Sequence, residues 1–290
     1  MLDTICDKEK GFSRIELEIV LKTPLFSERA FIHRMLAEYA LANYFAAHLL
    51  SDGYALSLRK IANRFTSEGR IPTELRGTFA WLSSLSENME LIGLDPYYQA
   101  IYGDNSLLSI QQKIKVVLQV KEYAKSNPYF FEPHHQMDLS GFYNKDIDSF
   151  LISELSEALT IDNHYHFFLV GLITASPNIS FELKNVLKRH IEDVSIQTHK
   201  KRKMLAVFSK DIDYLKEILL KVKNSLIPDP SDQIKEEILR TLYPQHINTR
   251  EIVPYLFEYN SQVTGYCHYL YETNVSAKLT PSSGRVENLP

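Results

Sequence analysis

The run Phe31-Ile32-His33-Arg34-Met35-Leu36-Ala37-Glu38-Tyr39-Ala40-Leu41-Ala42-Asn43-Tyr44-Phe45 decides how this chain is read. Leu36, Tyr39, Ala40, Tyr44 and Ala47 recur at three- and four-residue steps, the spacing of one packed face of an α-helix. Ala37, Ala42 and Ala46 are small enough for a neighbouring element to approach closely. His33 falls in the first turn, where unpaired backbone N–H groups and the positive end of the helix dipole favour anions. Arg34 and Glu38 stand four apart, the spacing of an ion pair along a helix. By spacing alone, His33 reads as a satisfied, partly buried histidine at a helix start.

Composition bounds what surrounds this helix. With 290 residues and 44% apolar content, the chain can bury one large core or two moderate ones. A formal charge of −4 and a pI near 6.2 argue against a protein whose main business is coating phosphate backbone. Cys6 and Cys267 lie at opposite ends without a pairing pattern, which suits a reducing compartment. The first eight residues have neither a basic nor an apolar targeting region, and no apolar run reaches membrane-spanning length. The expectation is a soluble, cytoplasmic chain that makes no use of a membrane.

Working outward, residues 12–30 carry Phe12, Ile15, Leu17, Ile19, Val20 and Leu21 in a mixed pattern that fits a short helix or strand leading into the Phe31 run. A short helix is predicted from Leu56 to Phe65, and Thr73 is a predicted N-cap for the next. Beyond Ser109 come amphipathic helices separated by Pro, Asn, Asp and Ser. Ser109 and Gln112 form a capping box ahead of Ile110, Ile114, Val117 and Leu118. The apolar sets that follow are Ile147, Leu151 and Leu155; Phe167, Phe168 and Leu172; Phe181, Val186 and Leu187; Met204, Leu205 and Phe208; Leu215, Leu219 and Val222; and Ile234, Ile238 and Leu242. Helix pairs recurring at roughly 45 residues, with no strand pattern, predict an all-α, HEAT-like α-solenoid whose helices stack because none can bury its apolar face alone.

The pattern Phe31-x-His33-x-x-x-x-Glu38-Tyr39-x-x-Ala42 resembles the F-x-H-x-x-x-x-E-[YF]-x-A-A segment that closes the winged-helix domain of NACHT-type STAND NTPases, a family including NOD-like receptors and bacterial anti-phage proteins. Leu41 stands where that pattern has its first alanine. Leu21-Lys22-Thr23-Pro24-Leu25-Phe26 looks like the short element preceding the motif. Arg76-Gly77-Thr78-Phe79-Ala80-Trp81-Leu82, followed by Asp95-Pro96 and Gly103-Asp104, resembles a run that follows the motif helix in large bacterial members; read by itself, Trp81 is a core tryptophan. Pro228-Asp229-Pro230, Leu242-Tyr243-Pro244-Gln245-His246-Ile247 and Gly265-Tyr266-Cys267-His268-Tyr269-Leu270 are similar to segments of those proteins' helical arrays, with Glu236 or Glu237 where relatives have glycine.

The resemblance implies the end of a winged-helix domain over residues 1–50, a helical linker domain over 51–125, helical repeats over 126–280, and a tail or truncation edge over 281–290. It implies that His33 reads the phosphates of ADP or ATP, with Phe31, Arg34, Glu38 and Tyr39 as motif support. The nucleotide would sit in an NTPase core outside this chain, in cis or on a separate polypeptide. The repeats would sense a protein ligand, in antiviral defence signalling.

The chain itself carries no catalytic signature. Its ten glycines are scattered and form neither G-x-x-x-x-G-K-[ST] nor G-x-G-x-x-G, so no phosphate cradle of those kinds is expected. G-x-S-x-G, H-E-x-x-H and C-x-x-C are also missing. The expectation is a non-enzymatic segment with no resident cofactor or metal. Two readings of other classes compete. A stand-alone α-solenoid scaffold for a protein partner predicts a buried His33. A metal-dependent enzyme would draw ligands from His134, His135 and Asp138, together with Asp162, His164 and His166. The basic run His199, Lys200, Lys201, Arg202 and Lys203 could face nucleic acid, but it lacks interleaved aromatics and reads better as a solvated helix face.

Overall fold

The computed structural model describes residues 18–19, 21–27, 30–50, 71–86, 95–131 and 139–256. The predicted helix from Leu56 to Phe65, the His134, His135 and Asp138 group, the Gly265 to Leu270 segment, Cys6, Cys267 and the tail lie outside them. The chain is all-α, with one hairpin of two-residue strands among the described residues, and it divides into two compact units. One comprises residues 1–123 and 137–142, the other 124–136 and 143–290. Among the described residues, no helix is long and apolar enough to cross a membrane.

In the first unit, β1 (Phe26–Ser27) pairs antiparallel with β2 (Ala30–Phe31), with Phe26 opposite Phe31 and their ring centroids 4.5 Å apart. Helix α1 (Arg34–Leu50) follows, then α2 (Arg76–Leu85), α3 (Pro96–Tyr102) and α4 (Ile110–Ser126), whose last three residues are assigned to the second unit. Helix α1 buries its alanine face. Ala42 and Ala46 pack with Ile71, Phe79 and Leu82, and Phe45, Leu75, Trp81 and Leu85 border the cluster. The predicted face is therefore corrected: Leu36, Tyr39 and Tyr44 are exposed. Alanines let the axis of α2 come close, and the bulkier side chains are then displaced to the rim. Ser109 caps α4 as expected, its Oγ accepting from the Gln112 amide at 3.3 Å while Gln112 Oε1 accepts from the Ser109 amide at 2.8 Å. Thr73 does not cap α2. It opens a 3₁₀ turn, Thr73–Leu75, and α2 starts at Arg76 without a side-chain cap.

The second unit contains α5 (Asp148–Ala158), α6 (Tyr165–Thr174), α7 (Phe181–Glu192), α8 (Thr198–Leu205), α9 (Ile212–Lys223), α10 (Gln233–Leu242) and α11 (Thr249–Leu256). Ser180 Oγ caps α7 through the Leu183 amide, and Asp211 Oδ1 caps α9 through the Tyr214 amide. Helix α5 packs on α6 and α7, α8 touches α6, α7 and α10, and α9 lies against α10. Leu151, Leu155, Phe168, Leu172, Leu187, Ile218, Ile238 and Leu242 form buried core. Helix α6 is apolar around most of its circumference and is buried accordingly. Tyr165 at its start donates to Glu154 Oε2 on α5 at 2.8 Å, which satisfies both buried groups. Phe181, expected in the core, is 80% exposed at the first position of α7, two residues before the buried face begins at Leu183.

Candidate functional site

Helix α1 begins one residue after His33, which places the histidine at the N-cap position. Its carbonyl accepts from the Leu36 and Ala37 amides at 3.1 and 3.3 Å, and its side chain is exposed. The predicted Arg34–Glu38 pair is present, with Nε to Oε1 at 2.6 Å. Arg34 Nη2 also donates to the Glu74 carbonyl at 3.1 Å, tying the start of α1 to the turn before α2. Glu38 points at the first turn of α2. A Cβ on Gly77 would overlap Glu38 Oε2, so glycine is what admits the carboxylate there. A negative charge beside unpaired N–H groups stabilises a helix start, and Glu38 thus supplies from another helix what Thr73 does not supply locally.

Arg34 and Glu38, but not His33, line one wall of a cleft of about 570 Å³ within the first unit. Arg76, Gly77 and Trp81 come from α2, Tyr98 and Tyr102 from α3, and Gly103, Asp104 and Asn105 from the turn after it. The Phe31 run and the Arg76 run, far apart in sequence, therefore contribute to one concavity. Arg76 lies over the Tyr98 ring at 3.9 Å, with Asp95 Oδ2 at 3.5 Å from its Nε. Burial holds the Asp95 carboxyl above the ordinary carboxylate range, partly offset by Arg76. Tyr98 and Tyr102 stack, centroids 5.9 Å apart. Trp81 is half-buried and meets Tyr39 edge-on at 5.2 Å, so it serves both the α1–α2 contact and the cleft. Nothing in the linear sequence marks Tyr98 or Asn105; only the return of α3 beside α2 brings them to Arg76.

The other histidines do not converge on a metal site in the described residues, which hold no group of three or more His, Cys, Asp or Glu side chains that could ligate one. His164 packs edge-on against Tyr129 and Phe167. His166 is fully buried beside Phe167, and neither ring nitrogen has a hydrogen-bond partner among the described residues. Burial, with further contributions from Lys200, His199, His190 and Lys203, pushes its pKa down to about 3.

The basic run is corrected more sharply. Lys200 and Lys201 are 3% and 1% exposed, so α8 is not a solvated face. Lys200 Nζ donates to the Leu159 and Ile161 carbonyls, each at 2.8 Å, just past the end of α5. Arg202 Nε meets Glu237 Oε2 on α10 at 3.2 Å, and Arg240 bridges to the same carboxylate. Burial lowers the pKa of Lys200, Lys201 and Lys203. Glu236 and Glu237, at the glycine position of the resemblance, lie inside α10 and meet this basic helix.

No family model, no curated protein and no solved structure matches this chain. What stands is a class: an all-α protein whose first unit holds an arginine- and tyrosine-lined cleft beside an exposed histidine.

Proposed function

We propose that the chain is the regulatory, non-enzymatic segment of a STAND, NACHT-type NTPase. In this reading, His33 reports the nucleotide bound in an NTPase core in cis or on a separate chain, and the helices of the second unit form the repeat array that senses a protein ligand. The observation that carries it is the exposure of His33 at the start of α1. A satisfied core histidine, which the stand-alone scaffold reading requires, would be buried. An imidazole at a helix N-terminus, with the adjacent N–H groups, suits contact with a phosphate. The meeting of the Phe31 motif and the Arg76 run in one cleft adds support, because both are family-like stretches and they are far apart in sequence.

The mechanism is conformational. A protein ligand shifts the resting state only in proportion to how much better it binds the active one. His33 favours the resting state by holding ADP, and its release accompanies the shift; the setting is antiviral defence signalling. The test joins the chain to its NTPase core and compares His33→Ala with the unaltered protein. Faster ADP release, or signalling without a trigger, is expected. Unaltered nucleotide exchange overturns the reading. Since the His33 side chain is exposed, His33→Ala should leave thermal stability within about 0.5 kcal/mol of the parent, so a changed exchange rate would not reflect unfolding.

A further inference from the structure

We propose that the cleft of the first unit is a binding site for a carboxylate carried on an aromatic or apolar body, with the Arg76 guanidinium as the fork that holds it. Arg76 is fixed in place but not used up. Its guanidinium carbon lies over the Tyr98 ring at 3.9 Å, which orients the group. Asp95 Oδ2, at 3.5 Å from Nε, is beyond ordinary hydrogen-bond length, and Nε is sealed without a partner. Burial also raises the Asp95 carboxyl above its ordinary range, which weakens its hold on the arginine. Nη1 and Nη2 have no hydrogen-bond partner among the described residues either, and unlike Nε they are not sealed. The side chain is 26% exposed and lines the cleft.

The other charged groups of the wall are engaged locally. Arg34 donates from Nε to Glu38 Oε1 and from Nη2 to the Glu74 carbonyl. Glu38 Oε2 is packed against Gly77. Asp104 Oδ1 accepts from the amide and hydroxyl of Ser106. What remains is one free guanidinium edge at a cavity of about 570 Å³, within the size range of small-molecule sites. A planar fork of this kind matches the two oxygens of a carboxylate. Trp81 and Tyr102 supply ring surface in the same cavity, and Met35, also in its lining, is 65% exposed. An apolar body attached to the carboxylate would take this surface out of water.

Other ligand classes fit less well. A cation would meet Arg34 and Arg76 in the same wall. A doubly charged phosphate would lie near the carboxylates of Glu38 and Asp104, whereas a single negative charge matches the one free guanidinium edge. A purely apolar ligand would strip water from Nη1 and Nη2 and put no acceptor in its place. The carboxylate belongs either to a free aromatic acid or to the C-terminus of a peptide, and the fork captures both in the same way. His33 does not line the cleft, so this site does not depend on a nucleotide role for it.

The chain has one tryptophan, Trp81, which lines this cleft, and its fluorescence reports occupancy. The full chain is titrated at constant ionic strength with phenylacetate, with the neutral phenylacetamide and with acetyl-glycyl-phenylalanine, each to about 10 mM, a range that reaches weak sites. The acid is expected to saturate the signal and to bind about tenfold more tightly than the amide, as a charge-assisted pair of hydrogen bonds requires. Arg76→Lys keeps the charge and removes the fork, so it should weaken the acid about tenfold and leave the amide unchanged. Tyr102→Ala, at a half-exposed position, should weaken acid and amide alike. Circular dichroism melts check that both variants fold; if Arg76→Lys does not, the acid-to-amide ratio of the unaltered chain and Tyr102→Ala decide. Binding of the peptide more than about tenfold tighter than the acid assigns the carboxylate to a partner's C-terminus; comparable or weaker peptide binding assigns it to a small molecule. The proposal is overturned if neither acid nor peptide saturates, if the amide matches the acid, if a folded Arg76→Lys binds the acid unchanged, or if acetate binds as tightly as phenylacetate.

Discussion

Lowering the pH should weaken the second unit through one side chain, His166. Its ring is buried, both nitrogens lack partners among the described residues, and its pKa falls from 6.5 to about 3. The neutral form is therefore favoured in the folded state, and the unfolded chain binds the proton more readily. The stability this contributes is fully present above pH 6.5 and is lost progressively as the pH drops toward 3. For those two values, the loss is about 2 kcal/mol at pH 5 and about 3 kcal/mol at pH 4. His190 and His199 are also lowered by burial, so the unaltered protein alone cannot isolate the effect. The comparison with His166→Leu does. Leucine has similar bulk, removes the two unpaired nitrogens and cannot titrate. Urea unfolding at pH 7.5 and at pH 5 should find the variant at least as stable at the higher pH, and ahead by about 2 kcal/mol more at the lower. A gap that stays constant or narrows on acidification would refute the reasoning, because it would require a protonated His166 in the folded state.

Lys200→Met should destabilise by about 2 kcal/mol, since the Leu159 and Ile161 carbonyls lose a charged donor inside the fold, and chemical denaturation reads this directly. If Lys200 lay on a solvated face, the change would stay within about 0.5 kcal/mol. Gly77→Ala should gain nothing by itself, because the new methyl displaces the Glu38 carboxylate. In a Glu38→Ala background, the same substitution should stabilise by about 1 kcal/mol, the helix-propensity difference, and equal effects in both backgrounds would dismiss the contact. Leu155→Ala should cost about 2–5 kcal/mol, whereas Phe181→Ala at an exposed helix start should cost less than about 1 kcal/mol; similar thermal shifts for the two would contradict their assigned burial.

The all-α class was legible because apolar periodicity reports which residues share a helix face, and local chemistry such as the Ser109–Gln112 box reports where a helix begins. The Arg34–Glu38 pair was legible for the same reason, since both partners sit on one helix. The failures are all decided by a second element. On α1, several apolar-looking faces were compatible with the spacing, and only the arrival of α2 selected the alanine side. Thr73 had the right chemistry for a cap, but a 3₁₀ turn took its place, and Glu38 supplies negative charge at α2 from across the contact.

The same distinction explains the largest misreading, at α8. A run of four basic residues is ordinarily kept in water because burying a charge without a partner is prohibitive. What a sequence does not display is a ring of acceptors assembled from elsewhere. Here those acceptors are the carbonyls past the end of α5, at Leu159 and Ile161, and the carboxylates of α10. Removing one partner of such a buried arrangement leaves the other uncompensated, whereas exchanging the whole set for apolar residues can be neutral. The charges therefore act less as a source of net stability than as a constraint on which helices α8 can lie between. An apolar α8 would accept many neighbours. This one fits where carbonyls and carboxylates are waiting.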